Sequence, residues 1–263
     1  MEVVASNVTL DADHPIVRLQ RNALIAGVAG LVLTAVGFFL SPDQFFRSYL
    51  LGFMYWFGIA LGSMAILMIH HIAGGAWGAV IRRVLESSIG TIPLLAVLFV
   101  PIALGTHHLY EWAHADVVAK DPVLQAKSAY LNVPFFLVRA VFYFVVWSLV
   151  ASLLRRWSLE QDRDGDPKVT LRMELMSRGG LVLYGLTVTF AVIDWVMSLQ
   201  PHWYSTIYGL LVMAGQGLAA FAFAIPLGVM LSRRESVSRV FGAAQFHDLG
   251  NLMLAFTMIW AYL

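Results

Sequence analysis

Asp194 stands inside the apolar run Gly179–Leu199, and Gln200-Pro201-His202-Trp203-Tyr204-Ser205-Thr206 follows it at once. A carboxylate at bilayer depth costs roughly 2.5–3.5 kcal/mol, so such a group faces a partner, a cavity or a proton path. Arg139 is a candidate partner. It lies six residues into the run Val133–Leu154, and Asp194 lies five residues before the end of its own. At 1.5 Å per residue, both sit roughly 8–9 Å deep from the same face. Near that face are also His107, His108, Glu111 and His114, then His202, Trp203 and Tyr204. Acid, base, cation and aromatic groups together suit a quinol, whose hydroxyls lose protons as electrons leave and whose ring prefers an apolar, aromatic-lined cleft. On that reading Asp194 or a nearby His accepts the proton, with Arg139, His107 and His202 around it. Trp195, Trp203 and Tyr204 would wall the ring. The competing reading is an Arg–Asp pair that only locks two helices, with solvated loop histidines.

A second polar layer carries His70, His71, Gly74-Gly75-Ala76-Trp77-Gly78, Arg82, Arg83 and Glu86, with His247 and Asp248. These residues belong to the other face, too far from Asp194 to share its chemistry. A proton path entering at His70, His71 and Glu86 would use Ser63, Thr91, Ser148, Tyr184, Thr187 and Gln216 as stepping stones. For most of these residues, polarity at helix ends and helix packing are the simpler reading. A b-type haem needs an axial His from each of two helices at matching depth. His70 or His71 with His247 would meet that need, but lone histidines are more often satisfied polar groups, so haem b is not expected. Zero cysteines exclude iron–sulfur ligation, c-type haem attachment and disulfides within this chain, so no covalently bound cofactor and no metal site are expected.

The elements that must position these groups are membrane helices. Hydrophobic residues make up 59% of the 263, charged residues only 13%, and the mean hydropathy is +0.75. That excludes an ordinary soluble domain. Apolar runs of about 20 residues match a hydrocarbon core of roughly 30 Å and lack the alternation of an outer-membrane barrel. The expected fold is an all-α polytopic bundle with spans near Asn22–Leu40, Tyr49–Ile72, Ile89–Thr106, Val133–Leu154, Gly179–Leu199 and Ile207–Leu231, plus a truncated seventh from Leu249. The last run, 15 residues or about 22 Å, is short of a full crossing and suggests a fragment of a longer chain. The acidic start with Glu2, Asp11 and Asp13 does not look like a cleavable signal.

Of 17 Lys and Arg, one (Arg139) lies within a span. Thirteen fall in the N-terminus and the second, fourth and sixth connections, against three (Arg47, Lys120 and Lys127) in the others. The positive-inside rule then places the N-terminus in the cytoplasm. The expected organisation is a cytoplasmic segment 1–21, a four-helix bundle 22–154, a cytoplasmic loop 155–178 and an incomplete second bundle 179–263. A faint repeat relates Ile81-Arg82-Arg83-Val84-Leu85-Glu86-Ser87 to Ser232-Arg233-Arg234-Glu235-Ser236, although basic clusters at cytoplasmic helix ends are expected anyway. Asp162-Arg163-Asp164-Gly165-Asp166-Pro167 has its glycine at position four of a calcium-loop register and Met173 at position twelve, so it reads as a polar turn.

Three segments together are similar to one family: His70-His71-Ile72-Ala73-Gly74-Gly75-Ala76-Trp77-Gly78 with Arg82-Arg83, Asp194 through Thr206, and Phe246-His247-Asp248-Leu249-Gly250-Asn251-Leu252. They resemble the ActF family of membrane subunits of bacterial alternative complex III, in the polysulfide-reductase membrane-subunit (NrfD-like) superfamily. The resemblance runs from about Arg18 to the end of the chain. It implies about ten spans in the full protein, a multi-pass place in the bacterial inner membrane, and a subunit of a respiratory quinol:electron-acceptor oxidoreductase taking quinol or menaquinol. It also implies a sister quinol-binding membrane subunit and iron–sulfur and c-type cytochrome subunits on the outer face, with proton translocation as the suspected task here. No nucleic-acid partner is expected. A secondary transporter, for which Pro93, Pro101 and Pro226 would break helices, and a scaffold for redox subunits are the rivals.

Overall fold

The computed structural model describes residues 15–232 and 242–263. Glu2, Asp11 and Asp13, and the segment 233–241 with Arg233, Arg234, Arg239 and most of the second copy of the faint repeat, lie outside the described residues. The protein is all-α, and no strand occurs among the described residues. Among the described residues six helical stretches are long and apolar enough to cross a membrane: Val17–Leu40, Pro42–Ala73, Ala76–Leu104, Val133–Asp164, Pro167–Leu199 and Tyr208–Leu231. The protein is thus a multi-pass helical membrane protein. A further helix of 20 residues, Ala243–Tyr262, contains the expected seventh run but starts six residues before Leu249.

The helices are α1 (Pro15–Leu40), α2 (Pro42–Ala73), α3 (Ala76–Ile89), α4 (Ile92–Leu98), α5 (Val100–Leu104), α6 (Thr106–Leu109), α7 (Ala115–Val118), α8 (Pro122–Lys127), α9 (Val133–Asp164), α10 (Pro167–Trp195), α11 (Tyr208–Ser232) and α12 (Ala243–Tyr262). Residues 1–45 form one compact unit and residues 46–263 another. In the first, α1 closes with Ser41 N donating to Gly37 O at 3.1 Å, and Phe38 packs edge-on against Phe39 and Phe45.

Local sequence explains each boundary. Gly74 and Gly75 adopt φ of 65° and 93°, a region that side chains with a Cβ rarely enter, and this pair separates α2 from α3. Asn132 caps α9 by accepting from Phe135 N at 3.0 Å, with Pro134 in the first turn. The same helix ends on Gly165 at φ 63°, and Asp166 then caps α10 through Lys168 N at 2.8 Å, with Pro167 as its first residue. The Asp/Gly/Pro stretch is therefore a tight turn. Residues 155–178, expected to be a loop, are helical except for Gly165 and Asp166, because polar residues extend both helices past their apolar runs.

The third span is interrupted. Pro93 and Pro101 sit in the first turns of α4 and α5, and the breaks fall at Gly90-Thr91 and Phe99. Hydrogen bonds from Phe99 N to Leu95 O (2.9 Å) and Ala103 N to Phe99 O (3.0 Å) keep the axis continuous across the second break. By contrast α11 runs through Pro226 without a break.

Neighbouring helices pack as α9 on α10, α10 on α11, α11 on α3 and α12, and α4 on α9. Their shared core is aromatic: Trp195 is fully buried, with Phe53, Phe57, Phe99, Tyr143, Phe144 and Trp147 at ring-centroid distances of 4.6–6.2 Å. Offset and edge contacts of this kind contribute about 0.5–1.5 kcal/mol each beyond their buried area. That cluster fixes the end of α10, and so the position of Asp194 one residue earlier.

Candidate functional site

Asp194 is wholly buried near the C-terminal end of α10, and Arg139, 8% exposed, reaches it from α9. The contact is bidentate: Arg139 Nε to Asp194 Oδ2 at 2.8 Å and Nη2 to Oδ1 at 2.9 Å. Tyr143, one turn beyond Arg139 on α9, donates its hydroxyl to Asp194 Oδ2 at 3.0 Å. Arg139 spends its remaining nitrogen on Tyr130 O at 3.0 Å and stacks over the rings of Tyr130 and Phe135 at 3.9 and 4.3 Å. Ser198 Oγ donates to Asp194 O at 2.5 Å, closing the turn after α10. Tyr110, fully buried, donates to the carbonyl of Trp195 at 2.9 Å. Burial first, and the Asp194 charge second, push the Tyr110 phenol well above its ordinary range. The Tyr130 phenol rises for the same two reasons. Its oxygen is buried and makes no well-aligned hydrogen bond, although Asp194 and Tyr143 act on it electrostatically.

The expected pair therefore exists, and two of its expected companions, His107 and His202, make contacts of their own. His202 pairs with Asp121, Nε2 to Oδ2 at 2.8 Å, while Lys127 Nζ donates to Pro201 O at 2.5 Å. Burial opposes the charge on Asp121, but hydrogen bonds from Val123 N and Leu124 N and the nearby His202 outweigh it and hold the carboxyl below its ordinary range. These contacts fasten the connection after α10 to the segment ahead of α9. His107 lies in the short α6 and packs against His114, whose Nε2 bonds the carbonyl of His107 at 2.8 Å. His108 stacks on Phe46. Trp203 and Tyr204 are exposed at 52% and 74%, whereas Trp195 belongs to the aromatic core.

Glu86 forms a second centre. It is 6% exposed and takes Arg82 Nε at 2.8 Å, Arg83 Nη1 at 2.6 Å and Ser158 Oγ at 2.5 Å. Arg82 also donates to Gln161 Oε1 at 2.8 Å, and Arg83 pairs with Asp162. Two arginines and two carboxylates leave this centre neutral while tying α3 to α9. Beside it, His71 Nδ1 meets Ser177 Oγ at 3.2 Å, and that hydroxyl donates to Met173 O at 2.7 Å. Since the serine proton is committed, His71 Nδ1 must be the donor. Its Nε2 is then a lone-pair nitrogen, buried and without a partner. His70 Nδ1 is likewise unpartnered, with the ring edge-on to Trp77 at 5.1 Å. His247 is exposed and bonds Asn251 in its own helix, so its ring turns to its own helical neighbour.

Between the two centres runs a single helix face. Ser177, Tyr184, Thr187 and Asp194 are all buried on α10, at intervals of 7, 3 and 7 residues. Trp147 Nε1 donates to Thr187 Oγ1 at 2.8 Å, and Tyr184 donates to Gln216 Oε1 at 2.7 Å. Seventeen residues at 1.5 Å each carry this stripe over about 26 Å. Among the described residues no cluster of three His, Cys, Asp or Glu could hold a metal ion.

No family model matches the chain, and no curated protein matches it. Tyr143, Tyr130 and Ser177 were not anticipated from sequence. Tyr143 had a usable signal, since it follows Arg139 by four residues and so shares its helix face.

Proposed function

We propose that the chain is a membrane subunit of a quinol:electron-acceptor oxidoreductase, and that its part is to move protons along α10 between the Glu86 centre and Asp194. The resemblance of three segments to the NrfD-like superfamily is what supports the complex. The buried polar face of α10 supports the proton path, and it is the observation that carries the reading: Ser177, Tyr184, Thr187 and Asp194 set one buried line of proton-exchanging groups along a lipid-spanning helix. His71 Nε2, an unpartnered lone pair, is the entry base on the Glu86 side. Intervals of about 10 Å separate Ser177 from Tyr184 and Thr187 from Asp194, so the path requires water to bridge them.

With both carboxylate oxygens held by Arg139 and Tyr143, Asp194 accepts a proton only when Arg139 lets go. The pair then acts as a gate: arginine release and carboxylate protonation are one event, timed by quinol oxidation nearby. On the sequence-derived orientation Asp194 faces the outer side and Glu86 the cytoplasm, in a bacterial inner membrane with iron–sulfur and cytochrome partner subunits and a sister quinol-binding subunit. The test is quinol:acceptor turnover of the whole complex carrying Asp194→Asn, at equal assembly. A loss on the order of 100-fold is expected for a missing proton acceptor. Unchanged turnover would remove Asp194 from the path.

A further inference from the structure

A groove of about 660 Å³ runs between α2 and α11, from Arg47 to Gly58 on the first and from Tyr208 to Ala219 on the second, with the turn after α10 and Trp260 of α12 completing its walls. Gly58 lies against Gln216 and Gly62 against Ala220, so the two helices run in the same direction and Arg47 and Tyr208 mark one end. That end is at the membrane edge. Arg47 stands two residues before the apolar run that begins at Tyr49, and Tyr208 is the second residue of the run that begins at Ile207. Eleven steps along each helix carry the groove about 16 Å inward, close to half of a hydrocarbon core of roughly 30 Å. Inward of Arg47 the walls are almost wholly apolar. Gln216 offers no donor there, since it is 3% exposed and its amide nitrogen lies beneath the surface. Arg47 is exposed, and among the described residues no carboxylate pairs with it. At the same end Trp203, half exposed, meets Tyr208 edge-on at 5.6 Å, and amphipathic rings of this kind settle at headgroup level.

We propose that this groove is a binding site for one phospholipid, its phosphate on Arg47 and one acyl chain laid between α2 and α11 as far as the bilayer centre. The site is independent of the quinol reading above. Charge, length and width select the occupant. A guanidinium pairs bidentately with phosphate, and Arg47 lies at the depth where a phospholipid carries that group. A chain anchored there has one leaflet to fill, about 15 Å, and the groove is of that length. A volume of about 660 Å³ spread over about 16 Å leaves a passage roughly 7 Å across, too narrow for an α-helix, whose diameter with side chains is roughly 10–12 Å. Gly215 keeps the passage open, since a Cβ there would already lie 3.5 Å from the Trp260 indole. On the lip Leu51 is 75% exposed and Tyr55 is exposed as well, so the second acyl chain stays in bulk lipid.

The test is photolabelling of the purified full protein in lipid nanodiscs with a phosphatidylglycerol that carries a diazirine on one acyl chain, followed by peptide mapping. Label should concentrate on residues 47–58 and 208–219, above the level on residues 182–190 of α10, whose exposed Val182, Leu186 and Phe190 report bulk lipid. Unlabelled phosphatidylglycerol should displace it, whereas diacylglycerol with the same chains, inorganic phosphate and menaquinone should not. Arg47→Gln should weaken labelling about tenfold, the loss expected for one charge-assisted contact, and Arg47→Lys less. Leu51→Trp, at an exposed position, should narrow the groove and lower labelling at an unchanged melting temperature. Displacement by diacylglycerol alone, or labelling indifferent to Arg47→Gln, would overturn the phosphate contact and with it the proposal. Label no stronger than on residues 182–190 would reduce the groove to bulk lipid contact. Displacement by menaquinone would give the groove to a quinone, and groove peptides shielded from all label would give it to a protein segment. Either result would contradict the phospholipid site.

Discussion

Removing one member of a buried ion pair strands the other, a loss of about 3–5 kcal/mol. Arg139→Leu should therefore lower the melting temperature of the detergent-solubilised protein far more than any single aromatic substitution at the surface. Tyr143→Phe removes one hydrogen bond to a charged group, about 1.5–3 kcal/mol, and should give a smaller shift in the same assay. The Asp121–His202 contact gives a pH prediction of its own. Asp121 is held below its ordinary 3.8 in the folded protein, so the stability it contributes is present above that value. It is lost as pH falls through the lower folded value. Hydrogen exchange in residues 196–206 should accelerate over that window, and Asp121→Asn should remove the pH dependence there. Some of this was legible in the residue list. Equal depth from one face pointed to the Arg139–Asp194 pair, whereas the three- and four-residue spacings that put Arg83 and Arg82 beside Glu86 were a signal left unused. The partners of His107 and His202, His114 and Asp121, were not legible, because hydropathy fixes how deep a residue sits but not which way a connecting loop turns it.

At the scale of elements, α2 and α11 approach backbone to backbone at Gly62. A Cβ on Gly62 would overlap the Gln216 carbonyl and come within 3.2 Å of Ala220 Cβ. Gly58-Ile59-Ala60-Leu61-Gly62 is a small-xxx-small pattern of the kind that lets membrane helices approach backbone to backbone. Gly62→Leu should force the helices apart and cost about 1–3 kcal/mol or more by overpacking. Disulfide trapping between cysteines introduced on the two helices would register the separation as a lower yield. The pattern is visible in the sequence, but apolar length alone marks the span and says nothing of which helix packs against it. Length also fixed the six long helices well, whereas it missed that 155–178 would be helical. Two cappable helices joined by Gly165-Asp166 need no loop, and an apolar run ends where lipid ends, not where the helix does.

For the molecule as a whole, two carboxylate centres, each neutralised by arginine, are joined by one polar helix face about 26 Å long. An Arg–Asp pair can serve purely as a lock between α9 and α10, and the lock and the gate differ in what survives when the pair is replaced by apolar side chains of similar volume. Such a replacement is often neutral for stability or better. The decisive comparison is the double variant Arg139→Met with Asp194→Leu in the intact complex, measured for both thermal stability and proton release coupled to quinol oxidation. The expected result is a protein as stable as the wild type whose coupled proton release falls on the order of 100-fold. Full proton release from that stable double variant would show that the pair is only a lock and would contradict the proton path through Asp194.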